Sequence, residues 1–337
     1  MCVVEICMFA YNEKESITKA MEDIVKQDVF SCDKFKVILN VVANGCTDGT
    51  ENVVENFIRL NQLDDKVKLF SILDKGKSRA WNLFVHLHMN QEAVYTVFCD
   101  ADIKIDSVSA IREMLELLEN NKNLVAVNSK PVKDISLKNK KNLVEKIIIS
   151  SAGNFSDWKK SICGQFYCVR KNSIENTYLP IGLPVEDGYI AASLVTGNFS
   201  TLPDFEKITG NERIFHFYKS EIDMVNIINH QVRIVIGSSV NSALFDYIGS
   251  LNEKDKKKLK NIFLSDDLWL QRFLMDYYPK WYGWVPLHFL TKRSKRLLAN
   301  KLGLNLIFKL IVGFLFDLIV YLKAQYLMSK GKGSGFW

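Results

Sequence analysis

The first ~130 residues alternate short apolar runs with stretches of helical periodicity, and this alternation limits the possible folds more than anything else in the chain. The runs are VVEICMFA (3–10), KVILNVVA (36–43), KVKLFSIL (66–73), AVYTVFCDAD (93–102) and LVAVNSKPV (124–132). Between them ESITKAMEDIVKQ, TDGTENVVENFIRL and SVSAIREMLELLENN repeat apolar residues at helical spacing. Strands joined through helices pair in parallel, so the pattern predicts an α/β fold with a mostly parallel central sheet and flanking helices. Thr47 and Ser107 are the expected helix N-caps. In an open sheet of this kind ligands bind beyond the carboxyl ends of the strands. The segments found there are YNE, NGCTDGT, DKGKSRAWN and DAD. The last is the most demanding, because an apolar strand runs straight into two like charges, Asp100 and Asp102. A cation between them would relieve the repulsion.

The chain of 337 residues is 48% hydrophobic with only 17 Gly and 6 Pro, enough to build a large core with little disorder. Seven scattered cysteines, an odd number without a CxxC, point to neither a disulfide framework nor a zinc site, and fit reduced thiols in the cytoplasm. The first residues enter a strand-like run at once, without the basic and long apolar regions of a cleavable leader, so the α/β part is expected to stay cytoplasmic. The net charge is +6, yet residues 280–337 hold ten Lys or Arg against the single acid Asp317, leaving the rest of the chain at −3. A basic tail interleaved with Trp, Tyr, Phe and Leu fits anionic lipid headgroups rather than nucleic acid.

Within that tail the longest stretch free of polar residues is Leu310–Phe316, far short of the ~18–20 residues that cross a bilayer. Lys301, Asn305, Lys309, Gly313, Asp317 and Tyr321 form one i+4 line, with a wide apolar face opposite. This geometry predicts a helix lying in the membrane surface. An amphipathic helix packed on its own domain, or in a dimer, is the alternative; a true span with Lys309 and Asp317 facing protein is disfavoured, because charges at the membrane midplane are costly. The expected division is 1–235 for the catalytic domain (halves about 1–132 and 133–235), 236–280 for a helical extension and 281–337 for the amphipathic tail. Residues 138–150 read as a helix rich in Lys and Asn, and 211–280, including HQVRIVIG, as a further strand and helices.

A lone D-x-D is common by chance. The ordered series MFAYNE, VVANGCTDGT, DKGKSRAWN and VFCDAD, continued by GQFYCVRK and PVEDGY, resembles the family 2 glycosyltransferases of GT-A fold over residues 3–235. The resemblance implies an inverting transfer from a nucleoside-diphosphate sugar, a UDP-sugar by preference, assisted by Mn²⁺ or Mg²⁺. It implies that Ala10, Tyr11, Asn12 and Glu13, with Asn44, Gly45 and Asp48, frame the nucleoside. Asp102, together with Asp100, would hold the metal, Asp100 and Ala101 would also face the donor, and Lys77 would approach the diphosphate. Asp187 resembles the catalytic base, with Glu186 beside it. Asp48 is also the residue type that stabilises a helix N-terminus, Asn82 the type that caps or packs, and His216 and His230 read as packed or solvated. Many relatives carry two acids where this chain has Ala43 and Asn44, which leaves the base of the nucleotide open. Processive relatives carry Q-x-x-R-W; here His230, Gln231, Val232, Arg233 and Ile234 keep only the Arg in register. That favours single-sugar transfer, with Arg233 a candidate diphosphate contact. The acceptor is unspecified; the tail favours a lipid-linked one at the cytoplasmic membrane face.

Two other classes compete. Haloacid-dehalogenase-like phosphatases also end a strand in D-x-D, but in their opening strand, and Asp266 with Asp267 would have to supply the later acidic motif. A GT-A-shaped binding protein without turnover is the second. Retention of Asp100, Asp102 and Asp187 together argues against it. A dinucleotide oxidoreductase is disfavoured because no G-x-G-x-x-G follows the first strand.

Overall fold

The computed structural model describes residues 1–138, 158–278, 282–298 and 304–335, which divide into two compact units. Nearly all of the Lys- and Asn-rich stretch at 138–150, and Lys301, lie outside the described residues.

The first unit, Met1–Leu179 with Glu186–Ser220, is built on a seven-stranded sheet. Its strands are β1 (Cys2–Ala10), β2 (Phe35–Asn44), β3 (Val67–Ile72), β4 (Ala93–Asp100), β5 (Ala126–Lys133), β6 (Phe166–Arg170) and β7 (Ile208–Tyr218), in the order β3-β2-β1-β4-β6-β5-β7. The first four are parallel, β6 runs antiparallel to both β4 and β5, and β7 is parallel to β5. All five apolar runs form the strands expected of them. The intervening helices are α1 (Ile17–Val25), α2 (Thr50–Leu60), α3 (Lys77–Leu83) and α4 (Ala110–Asn120), with α5 (Glu186–Val195) after β6. Helix α4 buries Ala110, Ile111, Met114, Leu115 and Leu118 at three- and four-residue spacing against the sheet. Each such Leu, Ile or Met contributes about 1.5–3 kcal/mol by leaving water. The caps lie slightly downstream of their expected places: Asp48 rather than Thr47 accepts from the first turn of α2, and Ser109 precedes α4.

Register then fixes the site. Phe9 pairs with Asp100, Ala10 with Ala43 and Asn44 with Ile72, so four strands end side by side at one edge. The antiparallel pairing of Cys99 with Phe166 brings Gly164 and Gln165 to the same edge, where the Gln165 carbonyl accepts from the Asp100 amide at 3.0 Å.

The second unit comprises Pro180–Val185 and Glu221–Trp337. Its helices are α6 (Met224–Ser250), α7 (Glu253–Ser265), α8 (Trp269–Tyr277), α9 (His288–Leu298) and α10 (Leu304–Ser329). Residue 235, the expected end of the first domain, lies within α6. HQVRIVIG is helical, although its β-branched residues favour strands, because Val232, Ile236 and Val240 repeat at four-residue spacing and are buried.

Helix α10 inverts the usual amphipathic arrangement. Asp317 accepts two bonds from Arg293 Nε of α9, both 3.0 Å, and the Tyr321 hydroxyl and Gln325 amide bond to the backbone of Val285. Gly313 admits Arg293, since a Cβ there would lie 3.0 Å from Arg293 Cδ. The polar line expected through 313, 317 and 321 therefore faces protein. The opposite face is open to solvent: Ile311, Leu315, Ile319 and Leu322 are 56, 54, 52 and 57% exposed. Lys309–Ser329 is long and apolar enough to cross a membrane by length and composition.

Candidate active site

The loops that follow β1 and β2 are tied together by side chains. Asn44, buried at the end of β2, donates to the Ala10 carbonyl at 2.8 Å and accepts from the Gly76 amide at 3.1 Å. Both ends of its amide latch β1 to the turn before α3. Gly45 has φ +68°, and a Cβ there would stand 2.7 Å from the Lys75 backbone nitrogen, so only glycine fits. Asn12, at φ +57°, accepts from the Thr47 amide at 2.8 Å. Asp48 accepts from the Thr50 amide and hydroxyl at 3.0 and 2.6 Å and from the Lys14 amide at 3.0 Å. It thus holds the first turn of α2 and clasps the β1 loop. Tyr11, 45% exposed, and Glu13 complete the rim, while Ala10 is buried.

The centre forms at the end of β4. Lys77, first residue of α3, reaches Asp100 Oδ1 at 2.6 Å, Glu186 Oε1 at 3.1 Å and the Gly164 carbonyl at 3.2 Å. Burial pushes the Asp100 carboxyl up to about 7; Lys77 pulls against it, while Asp102 and Glu186 add repulsion. Burial would lower Lys77, but Asp100 and Glu186 outweigh it and hold the ammonium above its ordinary value. Asp102 is exposed two residues on, and burial raises Glu13, with Asp102 and Asp48 adding to the rise.

Asp187 stands in the first turn of α5 and accepts from the Gly188 amide at 2.7 Å. A Cβ on Gly164, whose φ is +72°, would come within 3.0 Å of the Asp187 Cβ, so this glycine brings the β6 edge directly against the acid. Asp100, Lys77, Glu186 and Asp187, scattered over the sequence, thus share one locality. Glu186 pairs with Lys77, a role its position beside Asp187 did not reveal. Arg233 stands on α6 of the second unit.

Three further contacts support this edge. His216 on β7 is fully buried, with Nδ1 2.9 Å from Ser129 Oγ and Nε2 3.1 Å from Gln165 Oε1, and so braces the residue whose carbonyl holds Asp100. Asn82 of α3 exchanges two hydrogen bonds with the Leu179 backbone, at 2.8 and 2.9 Å. The Ala101 amide donates to Phe9 at 3.1 Å. Buried polar residues in an α3-type helix or a core strand are the available signal, but the sequence does not name their partners.

No group of three or more His, Cys, Asp or Glu is arranged to enclose an ion among the described residues. Asp100 and Asp102 would offer two carboxylates, the first pushed towards its neutral form by burial and like charge. That fits a hard cation taking most of its oxygens from water and phosphate, as Mg²⁺ does, and not a fully protein-bound metal.

The profile of "Glycosyl transferase family 2" matches residues 5–179. Among solved structures, mannosyltransferase PcManGT from Pyrobaculum calidifontis, in complex with GDP-Man and Mn²⁺, aligns with a TM-score of 0.57 at 15% identity, over 97% of this chain and 86% of that one. Residues 1–349 of TarS from S. aureus align with a TM-score of 0.50 at 14% identity, over 99% and 88%. At these identities the likeness is one of fold. No curated protein sequence matches.

Proposed function

The chain belongs to glycosyl transferase family 2, and from that premise we propose that it moves one sugar at a time, with inversion, from a metal-held nucleoside-diphosphate sugar to an acceptor hydroxyl at a membrane surface. The observation that carries this reading is Lys77 held between Asp100 and Glu186, 2.6 and 3.1 Å away, with Asp187 packed on Gly164 beside them.

Asp100 and Asp102 would hold Mn²⁺ or Mg²⁺, which supplies charge neutralisation to the departing diphosphate. Lys77 exchanges part of its carboxylate pairing for a diphosphate oxygen, a shift its flexible stem permits and its retained positive charge makes favourable. Glu186 keeps the ammonium from leaving with the product. Asp187 takes the proton of the acceptor hydroxyl as it attacks the anomeric carbon from the face opposite the diphosphate, which gives inversion. The β1 and β2 loops, latched by Asn44 and Asp48, form a stiff wall for the nucleoside. The Arg233 segment lacks the Trp of processive relatives, which supports single-sugar transfer.

The membrane part rests on α10, whose Asp317, Tyr321 and Gln325 turn inward and whose apolar face turns out, beside a basic α9. Seven free cysteines support a reducing, cytoplasmic setting. A lipid-linked acceptor suits such a location.

A panel of UDP- and GDP-sugars, assayed for Mn²⁺- or Mg²⁺-dependent release of nucleoside diphosphate, tests the reaction. Asp102→Asn is expected to abolish metal-dependent donor binding. Asp187→Asn is expected to bind donor normally and turn over roughly 10²–10⁴-fold more slowly. Undiminished release in chelator, or full activity of Asp187→Asn, would overturn the reading.

A further inference from the structure

Six residues, Pro180–Val185, lead into the acid pair, and they are fastened at Pro180, Gly182, Leu183 and Val185. Leu179 before them is fixed by the two bonds from Asn82. Within them, the Leu183 amide donates to the Pro180 carbonyl at 3.2 Å and closes a turn. The Gly182 carbonyl accepts from the amide of Gly335, in the turn that follows α10, at 2.9 Å. The Val185 carbonyl accepts from Asn241 Nδ2 on α6, also at 2.9 Å. One turn earlier on α6 stands Gly237. A Cβ there would meet Val185 Cγ2 at 2.1 Å and its Cβ at 2.6 Å, so α6 and Val185 approach as closely as backbone and side chain can.

Asn241 is used in a telling way. Its Oδ1 is buried with no hydrogen-bond partner among the described residues, while its Nδ2 holds Val185. A buried amide with one unmet acceptor costs stability relative to an apolar residue of equal size. The contact to Val185 is therefore kept at some expense to the fold. Val185 is bonded to Glu186, and Asp187 follows, so any shift at Val185 passes directly to both acids.

We propose that Gly237, Asn241 and the C-terminal turn at Gly335 are positioning residues for the acid pair. By fixing Pro180–Val185 they set where Glu186 meets Lys77 and where Asp187 receives the acceptor proton. This rests on Asp187 as the base. Misplacing a catalytic group by ~1 Å can cost on the order of 10²-fold in rate, so a loosened strap acts on turnover and leaves the donor loops on β1 and β2 untouched.

The test uses the full-length protein and the donor that the panel identifies. Asn241→Leu keeps the side-chain volume, removes the unmet oxygen and deletes the bond to Val185, so it is expected to fold. Its kcat should fall at least 10-fold, with donor KM and the Mn²⁺-dependent affinity for free nucleoside diphosphate within 2-fold of the parent, and amide exchange across 183–190 should accelerate. Truncation after Lys332, which deletes Gly335, should give the same split between kcat and KM. Asp187→Asn separates the two ideas. If it is inactive while both other variants keep the parental kcat and exchange, the positioning role is wrong and the base stands. If Asp187→Asn remains active, the base reading falls and takes the positioning role with it. Parallel loss of kcat and nucleotide affinity in both other variants would mark a general structural effect and overturn the proposal.

Discussion

His216 shows how much can rest on a residue that never meets a ligand. Both ring nitrogens are engaged, and burial pushes its pKa from 6.5 down to about 3. The folded protein therefore refuses a proton that the unfolded chain accepts between those values. Stability from the neutral imidazole is complete above pH 6.5 and falls as pH drops through the window, by up to about 1.4 kcal/mol per unit. His216→Gln removes the titration. Denaturant unfolding at pH 7.5 and 5.0 should show the parent losing about 2 kcal/mol more than the variant. Equal losses would mean that His216 is charged in the fold. Polar residues of this kind resist reading from sequence because their type records a need for a partner and not who the partner is. The Asn44 amide latches two loops, and Glu186, adjacent to Asp187, pairs with Lys77. Asp100 and Asp187 stand out in the sequence because charge at the end of an apolar strand, or between a Pro and a Gly, demands a reason.

At the scale of elements, the clasp between the β1 loop and α2 is the feature most open to measurement. Asp48 satisfies the first turn of α2 with one oxygen and the Lys14 amide with the other. Asp48→Ala should cost about 1–2 kcal/mol, the value of a lost N-cap with a second bond. Asp48→Asn keeps the oxygen facing Thr50 and should cost about half as much. Calorimetric melting of the two variants decides the matter, and no change for Asp48→Ala would deny it the clasp. The strands and first helices were legible because periodicity of two or 3.6 is a property of the local sequence. The antiparallel entry of β6 between β4 and β5 was not, since pairing partners are chosen by contacts distant in the chain. Helix α6 shows the local rule again: its β-branched run takes the helical form because a four-residue stripe, Val232, Ile236 and Val240, is what gets buried.

For the whole molecule the unsolved surface is α10. A helix made for water hides its apolar face and shows its charges; here Asp317, Tyr321 and Gln325 are satisfied inside, and Ile311, Leu315, Ile319 and Leu322 face out. Exposed apolar area of this extent marks an interaction surface. The exposed Lys292 and Lys295 of α9, with Lys309 and Lys330 on α10 and just beyond it, favour an anionic lipid interface, where each contributes about 1 kcal/mol near the headgroups. A helix crossing the bilayer alone would expose its polar line to hydrocarbon; lying flat, it buries one face and leaves the other on the protein. The protein is expected to float with vesicles containing a third phosphatidylglycerol and to be partly released by 0.5 M salt, roughly as screening over a few Å predicts. Leu315→Asp with Ile319→Asp changes side chains already in solvent, so the fold and Mn²⁺-dependent nucleotide binding should persist while flotation is lost. Retained flotation of that double variant would place the lipid contact elsewhere, and resistance to both salt and alkaline extraction would favour a span over a surface helix.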